Sequence, residues 1–407
     1  MEKIYFDTLK ETLYHEKMDN GLEVYLLPKQ GFEKTYGLFS TKFGAIDTTF
    51  VPLNGNEMIK VEDGIAHFLE HKMFDMNGTD ASDEFAKLGA STNAFTSSSR
   101  TAYLFSTTSN EYPCIELLLD FVQRLDITPE SVEKEKGIIG QEIKMYDDDP
   151  DWRVYFGSIQ NLYNNHPVAI DIAGTVETVN RTDKTMLETC YNTFYHPSNM
   201  MLFVVGNINA DTAINVIREN QAKKNFETAQ PIICQKNIEP CKVKTKENIL
   251  SMDVKINELL SEPKEKIKRE LSMNLLFDLL FSKSSKLYND WLNKGIINDS
   301  FSASFTQERD YAFIQIGCDC DDYETLKNHL LDLIKNFKEL KIEEKDFERI
   351  KKKNIGLFIN LFNRYYFEGT IALNLVDEVA DIQLKDIYNT FKYFDIEYTS
   401  TCIVKKK

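Results

Sequence analysis

The chain is poor in histidine, with 6 in 407 residues. It has no apolar run near the ~18–20 residues of a membrane-spanning helix, which argues against a span. Its first residues, Met1-Glu2-Lys3-Ile4-Tyr5-Phe6-Asp7, lack the apolar stretch of a secretory leader, so no signal peptide is expected. Basic residues are in deficit, 48 against 64 acidic ones, for a net charge of −16. Nucleic-acid binding wants a basic patch, so no nucleic-acid partner is expected. An acidic cavity would attract basic peptides, although a soluble acidic surface is the plainer account. The cysteines number 7, at 114, 190, 234, 241, 318, 320 and 402, and no C-x-x-C pair occurs among them. An odd, scattered set reads as reduced, mostly buried thiols of a cytoplasmic protein, not a disulfide framework.

What is present suits a globular chain of two or more domains. Hydrophobic residues make up 42% and aromatics 12%, enough for a sizeable core. Alternation predicts strands at 22–27 and 36–43 and a hairpin over 93–105, its first arm rich in small and hydroxyl residues. Helical spacing predicts helices over 81–88, 111–125, 128–147, 152–164, 182–194 and 211–220, with a buried strand at 201–206. Residues 226–247 carry Pro231 and Pro240 and no period, and read as a linker. The later order repeats the earlier one: 300–317 echoes 93–105, and 342–362 echoes 127–147. A period near 200 residues means duplication of a whole domain. The expected fold is therefore α+β, with two homologous domains, each a mainly antiparallel β-sheet covered by α-helices. The expected boundaries are 1–225 for the first domain, 226–247 for the linker and 248–407 for the second.

Two of the few histidines stand four apart in Gly64-Ile65-Ala66-His67-Phe68-Leu69-Glu70-His71-Lys72-Met73-Phe74. On a helix they share one face and can grip one zinc ion, with Glu70 near enough to reach the attacking water. Asp63 is expected to cap that helix. H-x-x-E-H is the reversed zinc-peptidase signature. A catalytic zinc takes a third protein ligand, and the helix at 128–147 offers Glu133, Glu135 and Glu142. Glu135 and Glu142 are two turns apart and face the same way. Glu142 has Ile138, Ile139, Ile143 and Met145 beside it, where an unpaired carboxylate is costly to bury. Glu142 is thus expected as the third ligand and Glu135 as a supporting carboxylate. The second half has no such motif over 264–281, and Leu357 stands about where Glu142 stands.

The runs H-F-L-E-H, S-T-N-A-F-T and E-K-G-I-I-G-Q-E together resemble the pitrilysin (insulinase) family of zinc peptidases, which includes the mitochondrial processing peptidase. The resemblance spans nearly the whole chain. The interval from His71 to Glu142 is a few residues shorter than in many members. The resemblance implies one Zn2+ per chain, held by His67, His71 and Glu142, with Glu135 as the second glutamate. Glu70 is then the general base for a metalloendopeptidase that hydrolyses peptides or unfolded segments in an enclosed chamber. Asn93, Ala94 and Phe95 match the family's edge strand, which binds the peptide backbone as an added strand. Many active members also carry an Arg and a Tyr in the second domain. Here the matching stretch, Trp291-Leu292-Asn293-Lys294-Gly295-Ile296-Ile297-Asn298-Asp299-Ser300, has neither, and Arg309/Tyr311 and Arg364/Tyr365 are out of register. That absence suggests a heterodimer with a related zinc-free subunit, with a homodimer as the alternative. Two other readings stand beside the peptidase: a non-catalytic scaffold subunit, and a maturation protease for one modified peptide.

Overall fold

The structure is a computed structural model. It describes residues 1–76, 78–235, 251–320, 322–362 and 371–402, without the side chains of 359–362 and 371–374. The described residues form two compact units. Of the described residues, one unit comprises 1–144, 170–235, 361–362 and 371–374, and the other 145–169, 251–320, 322–360 and 375–402. Segment 145–169, which the sequence reading places in the first domain, belongs to the second unit. The expected linker is described only to Gln235, because 236–250 lie outside the described residues.

The first unit is built on a seven-stranded sheet. Its strands are β1 (Glu2–Phe6), β2 (Glu11–Lys17), β3 (Glu23–Pro28), β4 (Thr35–Thr41), β5 (Ala90–Thr96), β6 (Thr101–Thr107) and β7 (Met200–Gly206). They lie in the order β1-β2-β3-β7-β4-β6-β5, and only the β3–β7 pairing is parallel. Side-chain alternation decides which face each residue serves. Val24, Leu26, Phe39, Tyr103, Phe105, Leu202 and Val204 join the main core. The intervening Leu27 and Phe203 turn to the other face and meet Phe6 and Leu13. Helices α1 (Ile65–Met73), α2 (Ala81–Lys87), α3 (Glu111–Val122), α4 (Pro129–Asp148), α6 (Val176–Arg181), α7 (Lys184–Phe194) and α8 (Ala210–Ala222) complete the unit, α4 running four residues past its edge; α5 (Pro150–Leu162) packs elsewhere. The helix expected over 182–194 starts two residues later. The Asp183 side chain accepts from Met186 N–H and so begins α7 as its N-cap.

The second unit holds a four-stranded antiparallel sheet: β8 (Ser251–Lys255), β9 (Ser302–Gln307), β10 (Ala312–Gly317) and β11 (Thr399–Cys402), in the order β9-β10-β8-β11. This repeats the β5-β6-β4-β7 part of the first sheet, strand for strand and direction for direction. Helix α5 packs on β8 and β11. The remaining helices are α9 (Pro263–Phe281), α10 (Lys286–Asn293), α11 (Tyr323–Lys335), α12 (Glu344–Phe362), α13 (Ile371–Asp381) and α14 (Leu384–Thr390). None of the described cysteines is in a disulfide; Cys241 lies outside the described residues. No helix among the described residues is long and apolar enough to cross a membrane.

Candidate metal centre

Helix α1 is anchored by its apolar side. Ile65, Ala66, Phe68, Leu69 and Met73 are all buried in the main core. This anchoring turns His67 and His71 together toward α4, with ring centroids 4.6 Å apart. The helix begins differently from expectation. Gly64, not Asp63, stands at the cap, with φ 87 and no side-chain hydrogen bond. A Cβ there would collide with the carbonyl of Ala173, so only glycine fits this turn.

Helix α4 opens with a reciprocal cap. Thr128 Oγ1 accepts from Ser131 N–H at 3.1 Å, and Ser131 Oγ accepts from Thr128 N–H at 3.2 Å. Two turns separate Glu135 from Glu142, about 10 Å along the axis. One imidazole with a carboxylate at each edge spans that interval. His71 Nδ1 lies 3.0 Å from Glu135 Oε1, and its Nε2 lies 3.4 Å from Glu142 Oε2. His67 Nε2 lies 3.6 Å from Glu142 Oε1. Ligand atoms on a tetrahedral zinc with ~2.0–2.2 Å bonds sit roughly 3.3–3.6 Å from one another. The two histidine–Glu142 pairs are already at that separation. Among the described residues, His67, His71 and Glu142 are the one cluster of three such donors, all within 4.8 Å of one another.

The electrostatics favour a cation here. Burial works against protonation of His71, but its hydrogen bonds to Glu135 and Glu142 win and raise its pKa to about 9. Hydrogen bonds from His67 and His71 hold the Glu142 carboxyl far below the usual carboxylate range, against a smaller effect of burial. Burial pushes Glu135 up, and His71 and Lys72 together pull it below its ordinary value. A dication in place of the bound proton would meet two committed carboxylates, so the donor set fits zinc.

Glu70 sits beside the pair and is buried. Burial raises its proton affinity, and a hydrogen bond from Thr96 holds the rise back. Thr96 Oγ1 donates to Glu70 Oε2 at 2.6 Å from the last position of β5. The residues Asn93, Ala94 and Phe95 precede it on the same strand. β5 closes the sheet at one end and pairs only with β6 among the described residues. The Asn93 side chain accepts from Ala94 N–H at 2.9 Å.

The family profile described as insulinase (peptidase family M16) matches residues 59–176, and the one described as peptidase M16 inactive domain matches 182–354. A Bacillus subtilis protein named as an uncharacterized zinc protease, YmfH, is 48% identical over 96% of each chain. The chain belongs to peptidase family M16. A solved M16-like peptidase from Alicyclobacillus acidocaldarius has a TM-score of 0.88 at 33% identity, covering 97% of this chain and 99% of that one. Pitrilysin gives a TM-score of 0.73 at 15% identity, with all of this chain on 46% of its own, a likeness of fold.

Against this M16 fold, the second unit shows what the duplicated site became. Thr96 pairs with Thr101 across the β5–β6 hairpin, and Gln307 pairs with Ala312 at the same register of β9–β10. Where Thr96 meets Glu70, Gln307 accepts from the buried Arg269 of α9 at 2.7 Å. A fixed guanidinium stands there in place of a carboxylate, so this unit's counterpart is not built for a cation. Thr96 and Lys72 stand beside the centre without belonging to the motif that marks it. Lys72 could have been flagged, since a lone lysine between His71 and Met73 in an apolar run needs a buried partner. Arg364 and Tyr365 lie outside the described residues.

Proposed function

We propose that the chain is a zinc metalloendopeptidase of the M16 family that hydrolyses peptides or unfolded segments, with one zinc held by His67, His71 and Glu142. The observation that carries this reading is the convergence of those three ligand atoms beside a buried glutamate. Zinc, when bound, supplies Lewis acidity to a water molecule and to the scissile carbonyl. Glu70 takes the proton of the attacking water and hands it to the leaving amine. Its raised proton affinity suits both halves of that transfer. The open edge of β5 offers backbone groups to a peptide that joins as a further strand. There the incoming carbonyl takes the Ala94 N–H that Asn93 now occupies.

The substrate clamp calls for a second chain. The stretch at 291–300 has no Arg or Tyr, and it puts Trp291, Ile296 and Ile297 into the core of its own unit instead. A related zinc-free subunit would supply those groups and close the chamber, with a second copy of this chain as the alternative. We place the complex in the cytoplasm, on the pattern of cysteine use. Metal analysis and a mixed peptide library, run on the chain alone and with its co-purifying partner, test the reading. One zinc per chain and broad cleavage support it. No zinc and no cleavage would make the chain a scaffold subunit, and cleavage of one modified peptide alone would make it a maturation protease.

A further inference from the structure

Lys72 is the most deeply buried charged side chain near the centre, with 2% of its surface exposed. An ammonium removed from water is costly unless it is paired and hydrogen-bonded. Its partners are Asp75, in direct contact, and Glu135 Oε2 at 3.4 Å. The two oxygens of Glu135 are therefore divided: Oε1 takes His71 Nδ1 at 3.0 Å, and Oε2 takes Lys72 Nζ. That division fixes the rotation of the carboxylate. A glutamate held only by His71 could turn about its last bond and present either oxygen, or neither. With Lys72 on one side, Oε1 stays on Nδ1. The Nδ1 proton is then committed to Glu135, so the nitrogen left to give up its proton to a metal is Nε2, 3.4 Å from Glu142 Oε2.

The two histidines differ in this respect. His67 Nδ1 is buried and has no hydrogen-bond partner among the described residues. The protein's control over tautomer therefore passes through the His71 arm, from Lys72 to Glu135 to Nδ1. We propose that Lys72 is a positioning residue for the metal centre, which acts through Glu135 to fix the His71 tautomer that can bind zinc. This inference rests on the zinc-site reading above. Lys72 touches neither substrate nor metal in this account, and the residue following the second histidine is not itself a ligand.

The test is the zinc dissociation constant, measured by chelator competition on the full chain, for wild type, Lys72→Met, Glu135→Gln and the double variant. Lys72→Met should weaken zinc binding by about tenfold, and Glu135→Gln by roughly 10–100-fold. Because the two act in series, the double variant should bind no more than about threefold more weakly than Glu135→Gln. Nitrogen-15 NMR of the histidine side chains adds a signature that packing alone would not move. With both proteins zinc-free and at one alkaline pH where the imidazole is neutral, His71 should be a single Nδ1–H tautomer in wild type and a mixture in Lys72→Met. If Lys72→Met does not fold, the same measurements on Lys72→Gln decide. Zinc binding within twofold of wild type, or single-variant losses that multiply in the double, would overturn the proposal. Wild type that binds no zinc would instead overturn the zinc-site reading on which it rests.

Discussion

Replacing Thr96 by valine isolates one hydrogen bond next to the proposed general base. The two side chains have the same branched shape, so β5 keeps its stiffness and its pairing with β6. What disappears is the hydroxyl that donates to Glu70 Oε2 at 2.6 Å. That hydroxyl has one proton to give. Its other neighbour, Thr101 Oγ1 at 3.4 Å, itself donates to the Phe43 carbonyl at 2.9 Å, so the Thr96 proton belongs to Glu70. A hydrogen bond to a charged group contributes about 1.5–3 kcal/mol. Most of that favours the ionised, base-competent glutamate, because Glu70 is buried and little water can replace the donor. The expected loss in kcat/KM at neutral pH is roughly 10–100-fold. Zinc content should not change, since Thr96 touches no ligand. The assay is steady-state cleavage of a fluorogenic peptide across pH 5–9, with metal analysis of the same samples. The acid limb should move to higher pH, because the proton on Glu70 becomes harder to remove. An unchanged kcat/KM with an unmoved acid limb would refute the argument and make Thr96 an ordinary edge-strand residue.

The remaining predictions concern the metal and the second unit. Glu142→Gln should fold normally and lose zinc affinity by more than about 100-fold, read by chelator competition, because it removes the one anionic ligand. Asp253 is fully buried, and burial raises its pKa to about 7 against the hydrogen bond that Ser251 Oγ donates to its Oδ1 at 2.7 Å. The folded state thus holds that proton more tightly than the unfolded chain, so its contribution is complete below about pH 4 and is lost as pH rises through about 7. Asp253→Asn should therefore gain on wild type between pH 4.5 and pH 8, by on the order of 4 kcal/mol at most. Paired urea melts at the two pH values check it, and a gap that does not change with pH would refute it.

The fold class was legible because alternation and helical period are strong where a segment is long or half-buried, as in β7, α3 and α4. Strands β1 and β2 were missed. Glu2, Lys3, Glu11, Glu16 and Lys17 break their pattern, and an edge ribbon buries little enough to tolerate that. Nothing local in 150–162 says that α5 packs with β8 and β11, since that is a long-range contact. In the candidate site, His67, Glu70 and His71 followed from spacing alone. Glu142 was singled out partly for a reason that does not hold. Ile139 and Ile143 are buried, but Ile138 and Met145 are exposed, so the helix face around Glu142 is less apolar than its sequence suggests. The paired spacing with Glu135 was the sounder signal, because two turns match the span of His71. Thr96 and Lys72 carry no motif of their own. Their places are set by the register of the β5–β6 hairpin and by the approach of α4 to α1, which only the folded chain reveals.

The most direct test of the central claim is Glu70→Gln, assayed for zinc and for peptide cleavage on the same preparation, with any co-purifying partner retained. The substitution keeps the shape and removes the base. About one zinc per chain is expected, as in wild type, with kcat/KM lowered by at least ~100-fold. A variant that retained zinc and cleaved at the wild-type rate would contradict that claim.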